Sequence, residues 1–201
     1  MSLYGFVRII PLALLVILAR PLDGWAQIYT PPASSRGAVA LSGSWRFLRA
    51  DSPGSEAPTF DDSVWSIVAV PHTWNNIDGQ DGPDTGGNPY GRDYYRGIGR
   101  YRRHFSVPVS YAGRRLFLEF DGANLVTDVW VNGQSVGHHE GGFTRFRFDV
   151  TSFVNTAAGN DNVIAVKVDN SNSIGIAPAS GDFTFFGGIY RDVSLVATGR
   201  H

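Results

Sequence analysis

Residues 181–193 are GDFTFFGGIYRDV. Residues 189–193 alternate between the two faces of a strand, as at the start of a β-strand. Gly187 and Gly188 favour an irregular backbone just before it, because glycine adopts angles that are closed to other residues. Asp182 lies upstream, beside Phe183, Phe185 and Phe186. A carboxylate next to so much apolar surface must be solvated, paired with another polar group or used for the function of the protein. The alternative is that it caps a turn, as aspartate often does.

Short segments of alternating apolar and polar residues recur along the rest of the chain, as is typical of half-buried strands. The 24 glycines, 11 prolines and 13% aromatic residues fit a turn-rich β protein rather than a helical bundle. Asn132-Gly133 is a strong hairpin signal, because both residues tolerate positive φ. The sequence therefore predicts an all-β sandwich. The predicted strands lie within residues 45–47, 63–70, 100–107, 116–120, 129–138, 146–150, 164–168 and 190–196.

The N-terminus resembles an export signal. Residues 1–26 combine an early positive charge, an apolar run over 9–19 and small residues at 24 and 26, which predicts a secretory signal peptide. A membrane anchor is the weaker alternative, because a spanning helix needs about 20 apolar residues. The mature protein is expected to be secreted or periplasmic, without a membrane contact. Residues 27–37 are expected to form a flexible lead-in.

Composition limits the classes of partner. The formal net charge is −1, which suggests neither nucleic acid nor an anionic membrane as a partner. The chain has no cysteine, so an exported domain of this kind must be held by its hydrophobic core.

Two acidic or histidine-rich stretches invite a metal hypothesis, but neither has suitable spacing. Aspartates recur at every third position over residues 78–84, whereas the calcium loop of an EF-hand needs alternating acids and a later glutamate. His138, His139 and Glu140 are consecutive, and neighbours on a strand point to opposite faces. No metal and no cofactor are therefore expected.

Three groups of motifs resemble the N-terminal sugar-binding domain of glycoside hydrolase family 2, which includes β-galactosidases, β-glucuronidases and β-mannosidases. They occur along this chain in the same order as in that family. Together they span residues 38–198. Arg100 departs from the pattern, because family members usually carry tryptophan there. The motifs are GSWRF at 43–47 with VPHTW at 70–74, VNG at 131–133 with GGF at 141–143, and Asp182 with its phenylalanines followed by GIYRDV at 188–193.

The resemblance implies a jelly-roll β-sandwich of the galactose-binding-domain-like type over residues 38–198. It also implies two catalytic glutamates in a (β/α)₈ barrel that follows an immunoglobulin-like domain, both of which are expected to lie outside this chain. Glu56, Glu119 and Glu140 do not stand in a comparable context. The chain is thus expected to be a non-catalytic part of a family 2 exo-β-glycosidase of carbohydrate metabolism, β-galactosidase-like and inactive alone, whose partners are a β-linked sugar and the barrel.

The resemblance assigns a substrate-binding role to Asp182. Its family counterpart reaches the active site in the barrel and contacts sugar hydroxyls, which a carboxylate binds more strongly than a neutral acceptor does. Two other functions stay open: a free-standing carbohydrate-binding module and a purely structural brace for the barrel. The gene sequence downstream of codon 201 would distinguish a free-standing carbohydrate-binding module from a domain of an enzyme.

Overall fold

The computed structural model describes residues 36–76, 95–171, 173–177 and 185–199. Within these ranges the chain forms ten strands and two short 3₁₀ helices, Trp74–Asn76 and Val109–Tyr111, and no helix there has the length and apolar character needed to cross a bilayer. The strands are β1 (Gly37–Ala40), β2 (Trp45–Leu48), β3 (Ser66–Val68), β4 (Ile98–Phe105), β5 (Arg115–Phe120), β6 (Val126–Val131), β7 (Gln134–Glu140), β8 (Phe146–Asp149), β9 (Asn162–Asp169) and β10 (Val193–Thr198).

The strands form two antiparallel sheets, ordered β1-β10-β5-β8 and β3-β2-β4-β9-β6-β7. Successive side chains along a strand point to opposite faces of the sheet, and the apolar side chains on the inner faces form one core. Leu116 and Leu118 of β5 and Ile164 and Val166 of β9 are at most 1% exposed. The prediction of an all-β jelly-roll sandwich is confirmed.

Some strand boundaries differ from the sequence prediction. Residues 190–192 were expected to begin the closing strand, but β10 starts at Val193 and the preceding residues run irregularly. Gly37, the last residue of the expected lead-in, is already in β1, where it pairs with Ala197. Trp65 and Trp74 are 6% and 1% exposed, so both are core residues and neither offers a ring face on which a sugar could stack.

A loop over residues 49–65 covers part of the outer face of the six-stranded sheet and buries Arg102 of β4 completely. The guanidinium group donates to the backbone carbonyls of Ser55, Ala57 and Phe60, at 3.0 Å for Ala57 and 3.4 Å for Phe60. It also donates to the carboxylate of Asp62 at 2.8 Å. Arginines on the outer face of a strand are usually solvated, but here the loop replaces water with backbone acceptors.

Candidate functional site

The segment that follows Asp182 lies at one end of the sandwich. Asp182 itself lies outside the described residues, so the described part of the segment begins at Phe185. Gly188 pairs with Asn124, which lies in the loop between β5 and β6, through backbone hydrogen bonds of 3.0 and 3.3 Å. The backbone N–H of His72 donates to the carbonyl of Ile189 at 2.7 Å. The segment is therefore attached to two separate loops.

Three buried asparagine side chains bind the backbone of residues 185–187, and we call them the asparagine clamp: Asn75, Asn124 and Asn170. Asn170 Nδ2 donates to the carbonyl of Phe185 at 2.9 Å, and Asn124 Nδ2 donates to that of Phe186 at 2.6 Å. The N–H of Gly187 donates to Asn75 Oδ1 at 2.7 Å. Because every bond reaches a backbone group, the clamp fixes the path of the chain itself.

The asparagine clamp is itself held by further hydrogen bonds. Asn170 Oδ1 accepts the N–H of Gly97 at 2.8 Å, and Arg96 Nε donates to the backbone carbonyl of Asn170 at 2.9 Å. Asn75 Nδ2 donates to the carbonyl of Tyr95 at 3.1 Å. A buried amide is costly unless it is paired, so these bonds make burial of the clamp tolerable.

Both glycines of the segment are required by the packing. A Cβ atom on Gly187 would lie 2.1 Å from Cζ2 of Trp74. Gly188 has a φ of +118°, and a Cβ there would lie 2.6 Å from the hydroxyl of Tyr101. The predicted irregular backbone is present, and its causes are positive φ and close contact with buried aromatic rings.

A pair of neutral polar side chains lies beneath Gly188. The hydroxyl of Tyr101 and Nδ1 of His72 are 2.8 Å apart, and the His72 ring packs 4.6 Å from that of Phe47. Burial lowers the pKa of His72 and raises the pKa of Tyr101, because desolvation disfavours the charged form of each. The base of the segment therefore carries no charge at neutral pH.

The outward side of the segment is aromatic. The guanidinium of Arg96 lies 4.4 Å from the ring centre of Phe185, which is half-buried. Phe186 is 47% exposed, and Phe143 is 60% exposed. The hydroxyl of Tyr190 donates to the carbonyl of Gly142, which fixes the loop that carries Phe143. This end of the sandwich therefore presents apolar surface at Phe143 and Phe186, and Phe186 follows Asp182 by four positions in the sequence.

The histidine-rich stretch is arranged as the strand geometry predicts. His138 is exposed, with Nδ1 2.6 Å from Asp128 and Nε2 3.3 Å from Glu140. His139 points to the other face and stacks on Phe146 at 4.0 Å. In the part of the chain that the structure describes, no group of three His, Cys, Asp or Glu residues has metal-binding geometry. The aspartates of residues 78–84 lie outside that part.

Sequence reasoning did not identify the asparagine clamp. Asn124 and its partner Phe186 are 62 positions apart, and Asn75 and Gly187 are 112 apart. Single asparagines near strand ends are typical of ordinary turns, so no local pattern separates these from others. Only the tertiary fold brings them to one segment.

Comparison with known proteins identifies relatives of this fold. Residues 39–199 match the family "Glycosyl hydrolases family 2, sugar binding domain". A β-glucuronidase of Bacteroides fragilis is 41% identical over 131 residues, which are 65% of this chain and 17% of that protein. A β-galactosidase of Thermoanaerobacter pseudethanolicus is 35% identical over 154 residues, which are 75% of this chain and 19% of that protein.

Solved structures give the same result. A solved structure of Bacteroides uniformis β-glucuronidase 2, covalently bound to cyclophellitol-6-carboxylate aziridine, superposes with a TM-score of 0.70 at 39% identity. The match covers 81% of this chain and 18% of that chain. The chain thus spans less than a fifth of the length of each of these relatives.

Proposed function

The chain belongs to glycosyl hydrolase family 2 through its sugar-binding domain, and from that membership we propose that it contributes to the substrate site of an exported β-glycosidase. The resemblance inferred from the sequence motifs is confirmed. The relatives are named β-glucuronidases and β-galactosidases, so the proposed substrate is a β-linked glucuronide or galactoside. The domain itself performs no bond cleavage in this proposal.

The observation that carries the proposal is the asparagine clamp. It fixes the backbone from residue 185 onward, only three positions after Asp182. A carboxylate binds sugar hydroxyls well only if the backbone that carries it is held in place, because ordering a loosely held group costs binding free energy. Asp182 is the substrate-binding residue in this proposal, and it acts through hydrogen bonds rather than as a catalyst.

The glutamates of the chain support the non-catalytic role. A retaining glycosidase needs two carboxyl groups about 5 Å apart. Glu119 binds Arg36 at 3.0 Å on the outer face of the four-stranded sheet, and Glu140 lies 3.3 Å from His138 on β7. Glu56 lies on the loop over the other sheet. The catalytic pair therefore belongs, in this proposal, to a barrel domain of the same enzyme.

The first experiment tests the non-catalytic role. The purified chain is assayed with chromogenic β-galactosides, β-glucuronides and β-mannosides. No hydrolysis is expected, because no catalytic carboxylate pair is formed by its glutamates. Turnover that persists after rigorous removal of host glycosidases would overturn the proposal.

The second experiment tests Asp182 in the enzyme that contains this domain. Asp182→Ala should lower kcat/KM by roughly ten- to a hundredfold, because each lost hydrogen bond to a charged group costs about 1.5–3 kcal/mol. Thermal unfolding should change little. Asp192→Ala is the matched control, since Asp192 is exposed and lies in the same segment. A lower melting temperature with unchanged kcat/KM would mean that Asp182 only caps a turn.

A further inference from the structure

The guanidinium group of Arg96 is held in place at the end of the sandwich that carries the asparagine clamp. Its Nε donates to the backbone carbonyl of Asn170 at 2.9 Å, and the group lies over the ring of Phe185 at 4.4 Å. The side chain of Asn170 in turn binds the carbonyl of Phe185 at 2.9 Å. Arg96 is therefore fixed to the same residues that hold the segment after Asp182.

The charge of Arg96 is not balanced within the described residues. No carboxylate there lies within 4.0 Å of it, and neither Nη1 nor Nη2 has a hydrogen-bond acceptor. By contrast, Arg100 pairs with Asp51 and Arg115 pairs with Asp149, each at 2.7 Å. The Arg96 side chain is partly buried, which lowers its pKa because desolvation disfavours the charged form. A negative group at the Nη atoms would offset that cost.

We propose that Arg96 is a specificity-determining residue of the substrate site, where it binds the carboxylate of a β-linked glucuronide. This inference rests on the proposed function and chooses between the two substrates named there. The planar fork of arginine matches a carboxylate with two parallel hydrogen bonds. Nε is occupied by Asn170, so Nη1 and Nη2 form the fork. A galactoside is uncharged and offers no group of this kind.

The geometry around Phe185 supports a ligand that approaches in the plane of the guanidinium group. The aromatic ring covers one face of that group, whereas the Nη donors point outward in its plane. Asp182 precedes Phe185 by three positions, and three residues of chain span at most about 11 Å. One sugar can therefore present its hydroxyls to Asp182 and its carboxylate to Arg96.

The test compares kcat/KM of the enzyme that contains this domain for p-nitrophenyl β-glucuronide and p-nitrophenyl β-galactoside. Arg96→Gln should lower the value for the glucuronide by about ten- to a hundredfold and leave that for the galactoside nearly unchanged. Arg96→Lys keeps the charge but not the fork, so its glucuronide value should lie between those of wild type and Arg96→Gln. A merely structural role would lower both values alike, so their ratio is the decisive quantity.

Two provisions keep the ratio measurable. If Arg96→Gln does not fold, the ratio for Arg96→Lys decides. With an enzyme that hydrolyses the glucuronide alone, the inhibition constants of glucuronate and glucose replace the two kcat/KM values.

Arg191→Gln is the matched control, because it removes a positive charge from the same end of the sandwich. Arg191 is exposed, and its Nη1 donates to the carbonyls of Asp121 and Phe143, so the ratio should not change. An unchanged ratio in Arg96→Gln, or an equal change in Arg191→Gln, would overturn the inference.

Failure of this inference and failure of the proposed function give different results. An enzyme that hydrolyses the galactoside but not the glucuronide would overturn the role of Arg96 and leave the proposed function standing. Unchanged kcat/KM of Asp182→Ala for both substrates would instead refute the proposed role of Asp182, whatever the ratio in Arg96→Gln.

Discussion

Replacing Asn170 by alanine tests the asparagine clamp most directly. The side chain is fully buried, and its amide accepts the N–H of Gly97 at 2.8 Å and donates to the carbonyl of Phe185 at 2.9 Å. Asn170→Ala leaves both backbone groups without these partners in the protein interior. Each such loss costs about 1–3 kcal/mol, so the free energy of unfolding should fall by about 2–6 kcal/mol. That is a large part of the about 5–15 kcal/mol that stabilises a typical domain.

The assay is unfolding of the purified chain by urea and by heat, with tryptophan fluorescence as the recorded signal. A loss of about 3 kcal/mol should lower Tm by about 6–12 °C in a protein of this size. Asn76→Ala is the control, because Asn76 lies beside the clamp but is exposed, and its effect should stay within about 0.5 kcal/mol. Amide hydrogen exchange should accelerate at residues 185–188 in Asn170→Ala before it does so in β5.

Two results would refute the reasoning. If Asn170→Ala unfolds at the same urea concentration as wild type and Asn76→Ala, the amide bonds do not stabilise this end of the sandwich. If stability falls but exchange at residues 185–188 is unchanged, the asparagine supports the core and not the segment.

Three further predictions concern Gly187, the pair of histidines His72 and His138, and Phe186. Gly187→Ala should cost more than about 3 kcal/mol, since its Cβ would meet Trp74 at 2.1 Å, whereas Gly43→Ala, with nothing within 4 Å, should be near neutral in thermal unfolding. In one NMR titration His72 should show a pKa below 6.5 and His138 one above it, the latter through its hydrogen bond to Asp128. The contribution of neutral His72 to stability should therefore be present above pH 6.5 and lost as pH falls through its folded pKa. The contribution of protonated His138 should be present below pH 6.5 and lost as pH rises through its folded pKa. A pKa of His72 above that of His138 would contradict these assignments. Phe186→Ser should reduce self-association in analytical ultracentrifugation, because the ring is 47% exposed, and an unchanged sedimentation profile at high concentration would argue against an adhesive surface.

The sandwich was predictable because its information is local. Alternation within β5, β8 and β9 sets which side chains face the core, and that period is visible in a few consecutive residues. The Asn132-Gly133 turn was likewise encoded in two neighbours, and both residues have positive φ between β6 and β7. Such features need no knowledge of distant parts of the chain.

Other features depend on partners that the sequence does not identify. The burial of Arg102 could not be predicted, because nothing in the sequence around it indicates that residues 49–65 fold over it. Residues 189–192 alternate like a strand, yet the clamp and the Gly188 bridge hold the chain off a regular path. In the candidate site, Gly187 and Gly188 were singled out correctly, whereas the three asparagines were not. Asp182 stays a prediction from the family resemblance.

The burial of Arg102 has a consequence for how freely the covering loop can change its sequence. Two of its contacts are to the carbonyls of Ser55 and Ala57, and every amino acid supplies that group at the same place. Ser55 is 1% exposed, so the space around it restricts that position to small side chains, whereas Ala57 is only partly buried. A substitution at Ala57 therefore leaves the hydrogen bond to its carbonyl available, and the side chains on which the attachment depends are those of Arg102 and Asp62.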